Sequence, residues 1–132
     1  MSVSVSIIVP CYNVAAYLDQ CMESLTGQSM EDIEIICVND GSSDHTAEIL
    51  RGWRNRDGRV RIIDQKNSGV SVARNSGMEA AVGEYIGFVD PDDMVERNMF
   101  QRLFTAAAEK DADVAVCGYH EFCDCGDEIG RA

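Results

Sequence analysis

Tyr85-Ile86-Gly87-Phe88-Val89-Asp90-Pro91-Asp92-Asp93 is the stretch on which the fold turns. It reads as a buried strand that runs out into a cluster of acids. Ile86, Phe88 and Val89 supply apolar and β-branched bulk, with Gly87 between them. Asp90, Asp92 and Asp93 then crowd three carboxylates around Pro91. Like charges so close repel unless water solvates them or a cation sits between them. One reading is a solvated acidic turn with Asp93 near the N-terminus of the next helix. The other is a site for a cation. The stretch alone leaves both open.

The segments around it alternate between two periods. Val3 to Val9 is a β-rich run with a continuous apolar centre, as in a parallel strand buried on both faces, and Pro10 is expected to stop it. From Val14 to Thr26 the apolar residues Tyr17, Leu18, Cys21, Met22 and Leu25 recur at helical spacing, and Gly27 suits the end. Ile33 to Val38 is a second buried strand, followed by the polar turn Asn39-Asp40-Gly41-Ser42-Ser43-Asp44. Ser43 or Asp44 can cap the helix marked by Ala47, Leu50 and Trp53. Val60 to Ile63 is a short strand, Asn67-Ser68-Gly69 a turn, and Val72 to Ala81 a helix of small residues able to lie close to a sheet. After the acid-tipped strand, Val95 to Glu109 is helical, with Met99, Leu103, Ala106 and Ala107 on one side. Asp113 to Cys117 reads as a fifth strand, and beyond Phe122 the chain turns polar. This order implies an α/β fold with a mainly parallel sheet and helices on both faces. Residues 1–122 form the domain and 123–132 a polar tail or the start of a further segment.

In such sheets ligands sit beyond the carboxyl ends of the strands. Pro10-Cys11-Tyr12-Asn13, Asn39-Asp40 and Asp90-Pro91-Asp92-Asp93 all fall there. Asp40 can serve as an Asx-turn or cap residue, or accept from a ligand N–H. Arg74, in the first turn of its helix, can pair with a surface acid or hold an anion. The three carboxylates offer hard oxygen ligands for Mg²⁺ or Mn²⁺. Acids at a sheet rim also suit a phosphoryl-accepting signalling domain or a metal phosphatase.

Charge narrows the choice. The 132 residues carry 23 acids against 11 bases, a formal net charge of -12. That argues against nucleic acid and against an anionic membrane surface. An anionic ligand would need a metal or locally placed Arg and Lys, and a divalent ion can bridge acidic protein to diphosphate. No apolar run approaches the length of a membrane helix, and Met1-Ser-Val-Ser-Val-Ser6 lacks a signal-peptide pattern, so a cytoplasmic protein is expected. Cys11, Cys21, Cys37 and Cys117 lie in apolar segments and read as small hydrophobes. Cys123 and Cys125 lack the companions a zinc site needs.

Four stretches together resemble the family 2 glycosyltransferases, whose catalytic domain has the GT-A fold. They are Ser6-Ile-Ile-Val-Pro-Cys-Tyr-Asn13, Ile35-Ile-Cys-Val-Asn-Asp-Gly-Ser-Ser-Asp44, Asn67-Ser-Gly-Val-Ser-Val-Ala-Arg-Asn-Ser-Gly77 and Gly83-Glu-Tyr-Ile-Gly-Phe-Val-Asp-Pro-Asp-Asp93. The resemblance implies that Pro10, Tyr12 and Asn13 border the nucleotide, that Asp40 accepts from the base as a carboxylate reading uracil N3–H does, and that Arg74 lies beside the nucleotide or diphosphate. Asp90-Pro91-Asp92 matches the Asp-x-Asp motif, with Asp92 the metal ligand, Asp93 a further one and Asp90 nearer the ribose. The implied reaction moves a sugar from a UDP-linked donor to a hydroxyl of a saccharide or lipid-linked saccharide, with inversion. The metal would stabilise the departing diphosphate.

The family's general base and acceptor half lie further along than residue 132. So does a strand expected between those at Ile86 and Val114. The resemblance therefore implies a donor-binding half, associated with a membrane only in a longer form, with weak nucleotide binding and little turnover. Unpaired sheet edges would favour a homo-oligomer. Two rivals stand beside it: a binding module without turnover, and a receiver-type signalling domain. A receiver needs adjacent acids after its first strand, where this chain has Pro10-Cys11-Tyr12-Asn13.

Overall fold

The apolar run at the N-terminus becomes β1 (Val5–Cys11), and every residue in it is buried. A computed structural model describes residues 2–118, 120–122 and 128–131. β2 (Ile33–Asp40) and β3 (Val60–Gln65) pair in parallel on one side of β1, and β4 (Tyr85–Phe88) pairs in parallel on the other, giving the order β3-β2-β1-β4. Three helices make the crossovers: α1 (Ala15–Thr26), α2 (Thr46–Arg56) and α3 (Val70–Ala80). α4 (Met99–Glu109) follows β4. Described residues near the C-terminus form a separate antiparallel pair, β5 (His120–Phe122) with β6 (Glu128–Arg131). This pair straddles the domain boundary drawn after residue 122, while Cys123 and Cys125 lie outside the described residues.

Alternation along β1 and β2 divides the core in two. Val5, Ile7, Val9 and Cys11, with Ile33, Ile35 and Cys37, pack against Leu18, Cys21, Met22 and Leu25 of α1, Leu50 of α2 and Phe100 of α4. Ile36 and Val38 face the other way, onto Ala73 of α3. α3 approaches closely because its residues are small: a Cβ on Gly77 would come within 2.5 Å of Ile8 Cγ2.

Several boundaries move. Pro10 does not stop β1, which continues to Cys11 with Pro10 opposite Val38. The Val89 amide donates to the Ile8 carbonyl, so Ile8, and by alternation Pro10, faces the β4 side. β4 pairs only as far as Ile8↔Phe88. The proline nitrogen thus falls where the ladder has already ended, and no hydrogen bond is lost. β4 is not buried on both faces as expected: Ile86 is 43% and Phe88 49% exposed. Both point to the α3 side, whereas Tyr85 and Val89 point into the larger core, with Phe100 of α4 lying over Gly87. α4 begins at Met99 rather than Val95, and Ala106 is exposed while Phe100 is buried. Tyr17 is also exposed rather than core. The strand expected at Asp113–Cys117 does not form. Val114 and Val116 stand 77% and 87% exposed, and a strand exists only by pairing its backbone groups with a neighbour.

One buried polar knot fixes the return from α3 to β4. The Glu34 carboxylate accepts from the Ser6 hydroxyl at 2.5 Å, from the Val82 amide at 2.8 Å and from Arg61 at 2.6 Å. The Gly83 amide in turn donates to Ser6 Oγ at 2.8 Å. Burial works against ionisation of Glu34, but these donors win and hold its carboxyl below the ordinary value.

Candidate functional site

The carboxyl ends of β1 and β2 open onto a cleft of about 300 Å³ lined by Pro10, Cys11, Tyr12, Asp40, Asn67, Gly69, Val70 and Ala73. It lies beyond the carboxyl ends of parallel strands, the side on which α/β sheets take ligands. Pro10, Tyr12 and Asp40 are therefore brought together as expected. Sequence reasoning did not single out Asn67, Gly69 and Val70 as wall residues, although the turn they belong to was legible.

Asp40 is built into the cleft by three donors. Its Oδ1 accepts from Gln65 Nε2 at 2.9 Å and from the Ser68 amide at 2.8 Å, and its Oδ2 accepts from the Gly69 amide at 3.0 Å. Its carbonyl accepts from Asn67 Nδ2 at 3.1 Å. Burial opposes the charge, yet the Gln65, Ser68 and Gly69 bonds hold the carboxyl below its usual range. Asp40 thus organises the loop that leads into α3. Oδ2 keeps spare acceptor capacity, because a carboxylate oxygen takes two bonds and it has one. Gly41 completes the arrangement with φ at 71°, and a Cβ there would meet the Asn67 backbone nitrogen at 2.7 Å. No side chain other than hydrogen fits.

Asn13 lies outside the cleft wall. With φ at 51° it turns the chain from β1 into α1. Its Oδ1 accepts from the Ser43 amide at 2.8 Å and the Asp44 amide at 3.3 Å, and its own amide donates to Ser42 Oγ at 3.1 Å. Asp44 returns the tie, accepting from the Thr46 amide at 2.9 Å and the Ala15 amide at 3.2 Å. Of the two capping candidates Asp44 is the one that binds the start of the helix, from the position before His45, and Asn13 joins two rim loops. The Asp44 cap was legible in the sequence; the Asn13 tie was not, because its partners lie about thirty residues away.

Asp90, Asp92 and Asp93 form a tight turn, closed by the Asp93 amide donating to the Asp90 carbonyl at 3.0 Å. All three side chains are exposed, and one oxygen from each lies within 4.8 Å of the others. The next helix begins only at Met99, so the acids do not cap it. The reading as an N-terminal helix charge is thereby excluded. Burial together with the neighbouring Asp92 and Asp90 charges pushes the Asp93 carboxyl above its ordinary value. Beneath the turn, the Cys21 thiol lies 3.6 Å from the Asp90 carbonyl. Burial, then Cys11 and the three carboxylates, drives the Cys21 pKa to about 12, so it remains a thiol.

Arg74 follows the cleft-lining Ala73 and reaches the turn. α3 starts at Val70, which puts Arg74 in its second turn rather than its first. Nη2 reaches Asp90 Oδ1 at 3.4 Å, and both side chains are substantially exposed. The surface pairing foreseen for Arg74 is real, and its partner is one of the three clustered acids.

The chain is 50% identical over 117 residues to the uncharacterized glycosyltransferase EpsJ of Bacillus subtilis (strain 168), covering 89% of this chain and 34% of that one. Among solved structures, S. aureus TarS in complex with UDP-GlcNAc superposes with a TM-score of 0.76 at 30% identity, over 80% of this chain and 31% of that one. Mannosyltransferase PcManGT from Pyrobaculum calidifontis, in complex with GDP-Man and Mn²⁺, superposes with a TM-score of 0.75 at 22% identity, over 82% of this chain and 33% of that one, a likeness of fold alone. The chain thus spans about a third of the length of each of these proteins. No described helix is long and apolar enough to cross a membrane. The glycosyl transferase family 2 model matches residues 6–132. With a GT-A sheet and that match, the chain belongs to glycosyl transferase family 2.

Proposed function

We propose that residues 1–122 carry the donor-binding part of an inverting, metal-assisted glycosyltransferase that uses a UDP-linked sugar. The observation that carries this reading is the joining of two unlike features at one rim. A preformed cleft holds Asp40, and an acidic turn with unmet charge stands beside it across Arg74. TarS, the more similar of the two solved structures, holds UDP-GlcNAc, which favours UDP over other nucleotides for this chain.

In this reading the base enters between Pro10, Tyr12 and Asp40, and its N–H donates to the spare capacity of Asp40 Oδ2. Asn13 supports that wall from behind, through the loop at Ser42 to Asp44. Arg74 balances diphosphate charge, and Asp90 turns toward the ribose. The donor set at the turn suits a hard divalent ion, since it is all carboxylate oxygen and one member is already disfavoured as an anion. Asp92 and Asp93 would hold Mg²⁺ or Mn²⁺, and the ion would offset the charge that grows on the leaving diphosphate. The acceptor is a saccharide or lipid-linked saccharide, and the setting is the cytoplasm.

Calorimetric titration of UDP with Mn²⁺ and with EDTA tests this, on the wild type and on Asp92→Ala. Metal-dependent binding that disappears in the variant is the expected result. Equal binding with Mn²⁺ and EDTA overturns the metal role. A nucleotide panel in which UDP is not preferred overturns the donor. A donor-binding module without turnover is the second reading, because the cleft and the acidic turn both supply groups for the donor. Sugar transfer by the purified chain would exclude it.

A further inference from the structure

The segment that carries the acids is held along its whole length by one helix, and the central tie is a single buried glutamine. From the geometry we propose that Gln28 is a positioning residue that latches the acidic turn against α1, so that metal coupling depends on it. The proposal rests on the metal reading given above.

Gln28 lies just past the end of α1 and is 6% exposed. Its Nε2 donates to the Ser24 carbonyl at 3.1 Å and to the Glu96 carbonyl at 2.7 Å. Its Oε1 accepts from the Phe100 amide at 3.2 Å. The Ser24 carbonyl belongs to the last turn of α1 and the Phe100 amide to the first turn of α4. Helix ends leave such groups without partners inside their own helix. One side chain therefore satisfies a group at the end of α1 and another at the start of α4, and grips the segment that precedes α4. The task needs two N–H donors and a carbonyl on one flexible stem, which only an amide offers, and Asn would be one methylene short.

Three further ties flank it. The Cys21 thiol meets the Asp90 carbonyl, Ser24 Oγ accepts from the Val95 amide at 3.1 Å, and the Ser29 amide donates to the Arg97 carbonyl at 2.9 Å. Cys21 and Ser24 lie on one edge of α1 and Gln28 and Ser29 follow just past its end, so α1 and the residues after it serve as a splint. The segment after the turn is irregular from Asp93 to Asn98 and has no sheet partner of its own. Without the splint, mutual repulsion of the three carboxylates would spread the turn.

The test compares UDP affinity in Mn²⁺ with that in EDTA for the wild type, Gln28→Met and Ser24→Ala. Arg59→Ala serves as a control. Arg59 clasps Asp57 and the Thr26 carbonyl in the last turn of α1 and bonds neither the acidic turn nor the segment before α4, so its loss loosens the same helix end and lowers stability without releasing the latch. We expect Gln28→Met to reduce the Mn²⁺/EDTA affinity ratio by about tenfold, as loss of supporting groups around metal ligands does. Ser24→Ala should reduce it less, while Arg59→Ala lowers the melting temperature and leaves the ratio unchanged. A ratio that Gln28→Met and Ser24→Ala leave intact, or that falls equally in Arg59→Ala, overturns the latch. If the wild type itself shows no Mn²⁺ dependence, the metal reading fails and the latch falls with it.

Discussion

Two aspartate sites share the rim and handle charge in opposite ways. Asp40 is buried, receives three hydrogen bonds from its own fold and is held below the ordinary carboxylate range. Asp93 lies in an exposed group of three acids and is raised above that range by burial and its neighbours. The fold supplies what Asp40 needs and leaves the charge of Asp93 to its acidic neighbours. A carboxylate whose charge is met internally belongs to the scaffold, and its ligand must use what capacity is left. The carboxylates whose charge is unmet are where the proposed cation would bind.

The largest effect should come from breaking the internally satisfied site. Asp40→Ala removes the acceptor for Gln65 and for the Ser68 and Gly69 amides, and the loop into α3 loses its anchor. Lost hydrogen bonds and stranded donors should cost about 3 kcal/mol in denaturant unfolding. Asp92→Ala, by contrast, should cost no stability while abolishing Mn²⁺-dependent UDP binding. A double result of that kind sharpens the contrast, and equal destabilisation by both variants breaks it.

Next in size is the packing under the acid-bearing strand. A Cβ on Gly87 would lie 2.6 Å from Phe100 Cε1. Gly87→Ala must displace the Phe100 ring or the strand, at about 2 kcal/mol by the usual cost of overpacking. Thermal unfolding measures it, and an unchanged melting temperature would mean that α4 is free to shift.

The mainly parallel sheet and both central strands were legible because Ile7-Ile8-Val9 and Ile35-Ile36-Cys37 are apolar on both faces, as a covered parallel sheet requires. The acidic turn was legible because its residues are contiguous. What escaped the sequence was cooperation at a distance. Asn13 with Ser43, Asp40 with Ser68, and Gln28 with Phe100 are set by tertiary approach, and no local period announces them. The false strand at Asp113–Cys117 has the same root: Val114 and Val116 have strand propensity, but pairing requires a neighbour.

The contrast has opposite signs in pH. Asp40 and Glu34 lie below their ordinary values of 3.8 and 4.5, so their contribution is present above those values and is lost as pH falls through the folded-state pKa. Asp93 lies above 3.8, so its repulsion weighs on the fold at neutral pH and is relieved as pH falls through its raised pKa. Without divalent ions, Asp93→Asn should be more stable than the wild type at pH 7, by about 0.5 kcal/mol once solvent screening is allowed for. The gain should vanish in acid. A melting-temperature difference that persists unchanged into acid would show that Asp93 is not the group under strain.

The smallest effect on stability, and the finest probe of the rim, is Arg74→Gln. The ion pair with Asp90 spans 3.4 Å between exposed groups, so its loss should move stability by about 0.3 kcal/mol or less. Its effects on binding should run in opposite directions. The guanidinium competes with any cation for the Asp90 carboxylate, so its removal should strengthen Mn²⁺ binding measured without nucleotide. The same guanidinium is the cation placed between cleft and turn, so its removal should weaken UDP in EDTA. Paired titrations of Mn²⁺ alone and of UDP alone read the two directions separately. If both affinities fall, Arg74 holds the turn in shape and is not balancing charge. If neither moves, the pair with Asp90 is a surface contact and the two sites do not communicate through it.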